Sequence, residues 1–246
     1  MPDLTGEGDR GAGRARVLPM GESGLLVETP RVLAVLRALS GSAQRPAGVL
    51  DLVPAARTLL VGFDPRAADP AAVRRWLDQV LAGLPDGDPV APGPASGPAG
   101  AVTLRVTYDG PDLDDVARLT GLTRDGVVAA HTGAVWSVAF TGFAPGFGYL
   151  VRSDPGSDLP SLAVPSLEVP RLEVPRTRVP AGSVALAGRY SGVYPTASPG
   201  GWRIVGRTDA VLWDVERDPP ALLQPGLTVR FEDVTNPRPG TAGGRG

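Results

Sequence analysis

The sequence predicts an α+β protein of two domains, a small ferredoxin-like unit followed by a mainly β barrel. Three observations predict it. The run Leu84-Pro-Asp-Gly-Asp-Pro-Val-Ala-Pro-Gly-Pro-Ala-Ser-Gly-Pro-Ala-Gly100 cannot bury enough apolar surface to offset its ordering entropy, so it reads as an interdomain linker. Ahead of it, patterned segments follow in the order strand, helix, strand, strand, helix. Behind it, short strands recur between glycine turns, the mark of a barrel. The predicted limits are a disordered N-terminus 1–13, an α+β domain 14–83, the linker 84–100, a barrel domain 101–234 and a disordered tail 235–246.

In the first domain, Arg16–Met20 and Gly24–Glu28 read as extended pieces around a Gly-Glu-Ser-Gly turn. Arg31–Leu39 carries Val32, Val35, Leu36 and Leu39 at helical spacing, with Pro30 suited to its start. Gly48–Pro54 and Thr58–Phe63 are apolar strands. Asp69 can cap a helix that begins at Pro70 and places Val73, Trp76, Leu77, Val80 and Leu81 on one face. In the second domain, Val102–Tyr108 alternates as a strand. Pro111–Leu119 is a short helix with acids in its first turn, where the dipole favours them, and Thr123 caps a second helix that carries His131 near its end. Val135–Phe140, Val184–Ala187, Trp202–Arg207, Val211–Asp214 and Thr228–Val234 read as strands.

The chain has 246 residues, no cysteine and no lysine, and all 24 of its basic side chains are arginine. Disulfides, thiolate nucleophiles, iron–sulfur clusters, a Walker lysine and a Schiff base are thereby excluded. The single histidine, His131, excludes a multi-histidine metal centre, and no structural metal is expected. A net charge of −2 gives no general attraction for nucleic acid or an anionic membrane. No apolar run is long enough to span a bilayer, so a soluble cytoplasmic protein is expected.

The most distinctive stretch is Phe140-Thr-Gly-Phe-Ala-Pro-Gly-Phe-Gly-Tyr-Leu150. A strand that runs into Ala-Pro-Gly stops there, because proline cannot donate to a ladder and glycine supplies φ > 0. The rings of Phe143, Phe147 and Tyr149 on this loop, bent at Pro145 and Gly146, either cap a core or line a pocket. Two glycine stretches, Pro180-Ala-Gly-Ser-Val184 and Ser198-Pro-Gly-Gly-Trp202, are either ordinary hairpin turns or backbone nests for an anion. Arg171, Arg176, Arg178, Arg189, Arg203 and Arg207 crowd the same half of the chain. They are either solvated surface or guanidinium forks for carboxylate and phosphate. His131 is the one side chain with an unperturbed pKa near neutrality, which makes it a proton-transfer candidate, with a structural helical histidine as the alternative. Val-Pro recurs at Val164, Val169, Val174 and Val179, and the pentad Leu-Glu-Val-Pro-Arg occurs twice in tandem, at 167–171 and 172–176. It reads as a small duplication in an extended loop. The nearby acids Asp154, Asp158, Glu168 and Glu173 match no standard cation-loop spacing.

Taken in order, Tyr108-Asp-Gly-Pro-Asp-Leu113, His131, Phe140–Leu150, Pro175-Arg-Thr-Arg-Val-Pro-Ala-Gly-Ser-Val184, Gly192-Val-Tyr-Pro195, Ser198–Trp202 and Ile204-Val-Gly-Arg-Thr208 closely resemble the B-type subunit family of 5-oxoprolinase. That family is also called allophanate hydrolase subunit 1 or KipI. The resemblance spans about residues 14 to 234. It implies a ferredoxin-like N-terminal domain, a cyclophilin-like β-barrel C-terminal domain, and a part in the ATP-dependent opening of 5-oxoproline to glutamate. The implied partners are the C-type protein of the same enzyme (allophanate hydrolase subunit 2) and its A-type protein. The implied ligands are a lactam or amide substrate and ATP, with Mg2+ held by the nucleotide. Some members are instead described as inhibitors of a sensor histidine kinase.

On this resemblance the expected catalytic groups are His131, Arg176, Ser183 and Arg207. The expected pocket is formed by Phe143, Pro145, Gly146, Phe147, Tyr149, Gly182, Tyr194, Ser198, Gly200, Gly201 and Trp202. Such groups suit the chemistry, because phosphorylating an amide oxygen needs donors for developing negative charge rather than a protein nucleophile. The chain departs from the family where Tyr190-Ser191 replaces Gln-Thr, and in the longer segment after Leu150 that holds the pentads.

Overall fold

A computed structural model describes residues 15–84, 101–153 and 165–235. The expected disordered ends apart from Thr235, most of the linker, and Asp154 and Asp158 lie outside the described residues. The chain divides into two compact units, Met1–Val90 and Ala91–Gly246.

The first unit contains β1 (Arg16–Pro19), β2 (Gly24–Glu28), α1 (Val32–Ser40), β3 (Val49–Pro54), β4 (Thr58–Phe63) and α2 (Pro70–Ala82). Its antiparallel sheet has the order β1-β2-β4-β3, so β4 is inserted between the two strands that α1 connects. Local chemistry fixes α2: Pro70 occupies the first turn, and the Asp69 carboxylate accepts from Ala71 N at 3.0 Å. The helix buries Val73, Trp76 and Leu77 against Val27, Leu59 and Val61 of the sheet.

The second unit contains β5 (Val102–Val106), α3 (Leu113–Thr120), α4 (Arg124–Gly133), β6 (Trp136–Thr141), β7 (Gly148–Arg152), β8 (Arg176–Val179), β9 (Ser183–Ala187), β10 (Tyr190–Val193), β11 (Ser198–Gly200), β12 (Arg203–Arg207) and β13 (Thr228–Asp233). Seven strands form one sheet in the order β12-β9-β10-β7-β6-β13-β5. Its two edges meet where Thr107 and Arg207 exchange backbone hydrogen bonds of 2.9 Å each, which nearly closes the sheet into a barrel. The molecule is thus a mixed α/β protein with a barrel-like sheet and few helices. The short sheet β8–β11 stands apart from the barrel strands.

One expected strand does not form. Val211–Asp214 is a loop held by a single bridge between Trp213 and Ala221, with Leu212 buried while Val211 and Trp213 face solvent. Apolar content there serves a one-residue anchor, and the Arg217 guanidinium occupies the Val211 carbonyl. β9 explains how the barrel carries two apolar faces. Val184 and Leu186 enter the barrel core, whereas Ala185 and Ala187 join a second, aromatic cluster on the opposite face. Among the described residues, no helix is long and apolar enough to cross a membrane.

Candidate functional site

The aromatic cluster is built on small residues. Ala185, Ala187 and Gly192 leave room for rings, and a Cβ on Gly192 would come within 2.9 Å of Phe147 and 3.0 Å of Trp202. Phe147 packs edge-on against Tyr149, Tyr194 and Trp202, with centroids 5.0 to 5.4 Å apart. Tyr149 stacks on Phe140 at 4.2 Å, and Tyr190 closes edge-on against both.

The loop that brings Phe147 here consists of two turns. Phe147 N donates to Ala144 O at 3.0 Å across Pro145 and Gly146, and Gly146 has φ +84°. Proline at the second position and a positive-φ glycine at the third make this a type II turn. Just before it, Ala144 N donates to Gly142 O at 2.8 Å around Phe143, whose φ is +70°. That is the rarer, strained form of γ-turn, and for a bulky residue it costs on the order of 1–3 kcal/mol. The strain holds the Phe143 ring 60% exposed above Phe147 and Tyr194. Beneath the loop, Thr141–Gly146 with Trp213 and Ala221 enclose a cleft of about 340 Å³.

Three arginines reach the rings: Arg189 lies 5.4 Å from the Tyr190 centroid, and two more stand at the Trp202–Tyr194 edge. The Arg171 guanidinium lies 6.0 Å from the Trp202 centroid. Arg176 Nη2 donates to Asp112 Oδ1 at 2.7 Å, and Asp112 Oδ2 accepts from Ile204 N at 2.7 Å. Arg176 Nη1 is buried with no acceptor among the described residues, and Ser198 Oγ on the paired strand β11 is likewise buried without a partner there. Burial raises the Tyr149 and Tyr194 pKa values above the ordinary tyrosine range, against a smaller opposing pull from Arg171 on each. Both phenols therefore stay neutral and able to donate.

The expected site residues fall into three places. Phe143, Pro145, Gly146, Phe147, Tyr149, Tyr194, Trp202 and Arg176 belong to the aromatic face or its rim, as does Gly200, where a Cβ would strike the Tyr194 hydroxyl at 2.3 Å. Ser183, Gly182 and Arg207 lie elsewhere. Gly182 (φ +77°) packs on the Thr208 carbonyl, and Ser183 is buried opposite Arg207 in the β9–β12 ladder. Arg207 Nε donates to Asp109 at 2.9 Å beside a seam cleft of about 360 Å³ lined by Thr103, Arg105, Thr107 and Thr208. The glycine stretches are turns and strands rather than open nests. Gly182 N donates to Tyr194 O at 2.8 Å and Ser183 N to Pro180 O at 3.4 Å, while Ser198–Gly200 pair as β11 and Gly201 O accepts from Leu172 N.

His131 is in the third place, the barrel interior, with no exposed surface. Nδ1 shares a hydrogen bond of 2.7 Å with the Tyr108 hydroxyl and Nε2 one of 2.8 Å with Ser191 Oγ. Its ring lies 4.1 Å from that of Phe231. Burial pushes its pKa down to about 3, so it is neutral. Without exposed surface, it ties α4 to β10, a geometry that suits a structural role. Tyr190 thus supplies a ring for the aromatic face, and Ser191 the hydroxyl that partners His131. Among the described residues, no group of three or more His, Asp or Glu side chains could hold a metal ion. Sequence reasoning did not single out Arg171 from the arginine crowd, although the five-residue period ending in Arg176 marks it.

Residues 15–223 match the family model described as the carboxyltransferase domain, subdomain C and D. Over 133 residues the chain is 39% identical to the B-type subunit of 5-oxoprolinase from Escherichia coli O157:H7, covering 53% of this chain and 56% of that protein. Over 147 residues it is 40% identical to the corresponding protein of Bacillus subtilis, covering 54% and 53%. The chain spans about half the length of the curated relatives it matches. The crystal structure of TTHA0988 superposes with a TM-score of 0.65 at 34% identity, over 88% of this chain and 41% of that one. Urea amidolyase of K. lactis shares the fold alone, with a TM-score of 0.63 at 18% identity over 91% of this chain and 15% of that enzyme. The chain belongs to the carboxyltransferase-domain C and D family, and over about half its length it is similar to the B-type 5-oxoprolinase proteins that its motifs resemble.

Proposed function

We propose that this chain is a subunit of a hetero-oligomeric, ATP-dependent 5-oxoprolinase that works in the cytoplasm with C-type and A-type partner proteins. The reading carries with it a ferredoxin-like first domain and a cyclophilin-like second domain. The observation that supports it is the aromatic face. The stretch most distinctive of the family builds a ring-lined surface with guanidinium groups at its edge, which suits a small planar amide with an anionic end. Ring opening breaks the lactam C–N bond with the uptake of one water, and a second water is taken up as ATP becomes ADP and phosphate.

In this reading Phe143, Phe147, Tyr149 and Trp202 exclude water from the amide, and Arg176 Nη1 donates to the anionic end of the substrate. Ser183 and Arg207 sit at the seam and serve the complex there. ATP enters as co-substrate, but the Gly182 turn does not fit its phosphates because its N–H groups already serve backbone carbonyls.

The test is reconstitution. The purified chain, its A-type and C-type partner proteins, 5-oxoproline and ATP are mixed, and glutamate and ADP are measured. Equal yields of the two products are expected, dependent on this chain. Absence of turnover of 5-oxoproline and of other lactams overturns the reading and favours regulation of a histidine kinase.

A further inference from the structure

The tandem pentad is the sequence feature whose duplication this function leaves unexplained. Its two copies are the same five residues in unlike surroundings. In the first, Leu167 and Val169 are buried in the barrel core, and Val169 exchanges backbone hydrogen bonds with Gly188. In the second, Val174 is 81% exposed, and the side chain that reaches inward is Arg176. The second copy therefore adds little core. What the repeat does place is two arginines, five residues apart on an extended run, beside the same rings.

Neither arginine is fully satisfied. Arg171 has no carboxylate partner among the described residues, although Glu168 and Glu173 flank it in sequence. Arg176 is half used: Nη2 is held by Asp112, and Nη1 is buried without an acceptor among the described residues. Leaving a buried N–H unpaired costs about 1–3 kcal/mol, so an acceptor is called for. Both guanidinium groups act electrostatically on Tyr194, and Arg171 also on Tyr149. A guanidinium that is open to solvent and one that is only half paired with Asp112 together suit a carboxylate.

We propose that Arg171 and Arg176, the last residues of the two pentads, form a clamp at the Trp202–Tyr194 edge that binds the free carboxylate of the substrate. The clamp rests on the function proposed above and names its specificity: a lactam or amide that carries a carboxylate is accepted, and the same ring without one is not. Arg171 acts as a forked donor from the open side, and the immobilised Arg176 offers Nη1 from below.

The experiment is calorimetric titration of the whole chain with 5-oxoproline, with 2-pyrrolidone (the same lactam lacking the carboxylate) and with acetate. It is repeated on Arg171→Met, Arg171→Lys and the distant surface control Arg124→Met. Arg171→Met keeps the apolar stem of an exposed residue, so melting temperatures are expected to agree with wild type. The clamp predicts that Arg171→Met weakens 5-oxoproline at least tenfold, that Arg171→Lys recovers part of the loss, and that 2-pyrrolidone and the control are unaffected. Unchanged 5-oxoproline affinity in Arg171→Met overturns the clamp while leaving the proposed function standing. Binding of acetate that depends on Arg171, without binding of 5-oxoproline, keeps the clamp and overturns the substrate reading. Failure of the wild type to bind any of the carboxylates overturns the clamp.

Discussion

Ser191 and Gly192 are neighbours on β10, and the pleat sends them to opposite faces of the barrel sheet. Ser191 faces inward to the Tyr108–His131 pair, in a polar relay without exposure. Gly192 faces outward beneath the Phe147 and Trp202 rings, on the side where Arg171 and Arg176 lie. The side chain with the pKa best suited to catalysis is therefore in the sealed region. The open region holds arginines and the phenols of Tyr149 and Tyr194, whose pKa values burial raises. The contrast teaches that an ionisable residue type does not by itself mark a reactive position, because burial decides what it can reach.

Four perturbations break or sharpen this contrast. The largest effect is expected for His131→Ala, which leaves a cavity and strips both hydroxyls of their partner. Denaturant unfolding should show a loss on the order of 4 kcal/mol, and a loss below about 1 kcal/mol would mean that the relay does not hold the barrel. Gly192→Val drives carbon into buried rings 2.9 and 3.0 Å from a Cβ, so about 3 kcal/mol should be lost together with near-ultraviolet dichroism.

The third effect is acid sensitivity. Folded His131 has its pKa lowered to about 3 from an ordinary 6.5, so below pH 6.5 the unfolded chain takes up a proton that the folded chain refuses. Stability contributed by the neutral ring is complete above pH 6.5 and is lost as pH falls towards 3. From pH 7 to 5 the loss is about 2 kcal/mol, and His131→Gln should remove that part of the slope. The smallest effect is expected at the exposed tip. Phe143→Gly relieves the positive φ while giving up ring contacts, so stability should change by no more than about 1 kcal/mol although lactam binding weakens. A loss above about 2 kcal/mol would make Phe143 part of the core instead.

Local chemistry was readable in the chain. Asp69 and Thr123 cap the helices that their positions announce, and Pro145-Gly146 makes the turn that those two residues favour. Contacts between distant residues were not. His131 and Ser191 are 60 residues apart, and Asp112 and Arg176 are 64 apart, so neither the burial of the one nor the pinning of the other leaves a trace in local pattern. Gly182 announces a turn but not that the Tyr194 carbonyl consumes its N–H. Val211–Asp214 carries strand-like residues, yet a strand needs a partner along its length, and only Trp213 finds one.

The division of labour between the two regions is tested most directly by the turnover number, per folded molecule, of the reconstituted complex carrying His131→Gln. The amide can hydrogen-bond Tyr108 and Ser191 but cannot act as an acid or base at neutral pH. A rate within about threefold of wild type is predicted, because the relay only supports the sheet. General acid–base groups typically contribute about 100-fold or more, and a fall of that size would place the chemistry at His131 and contradict the account.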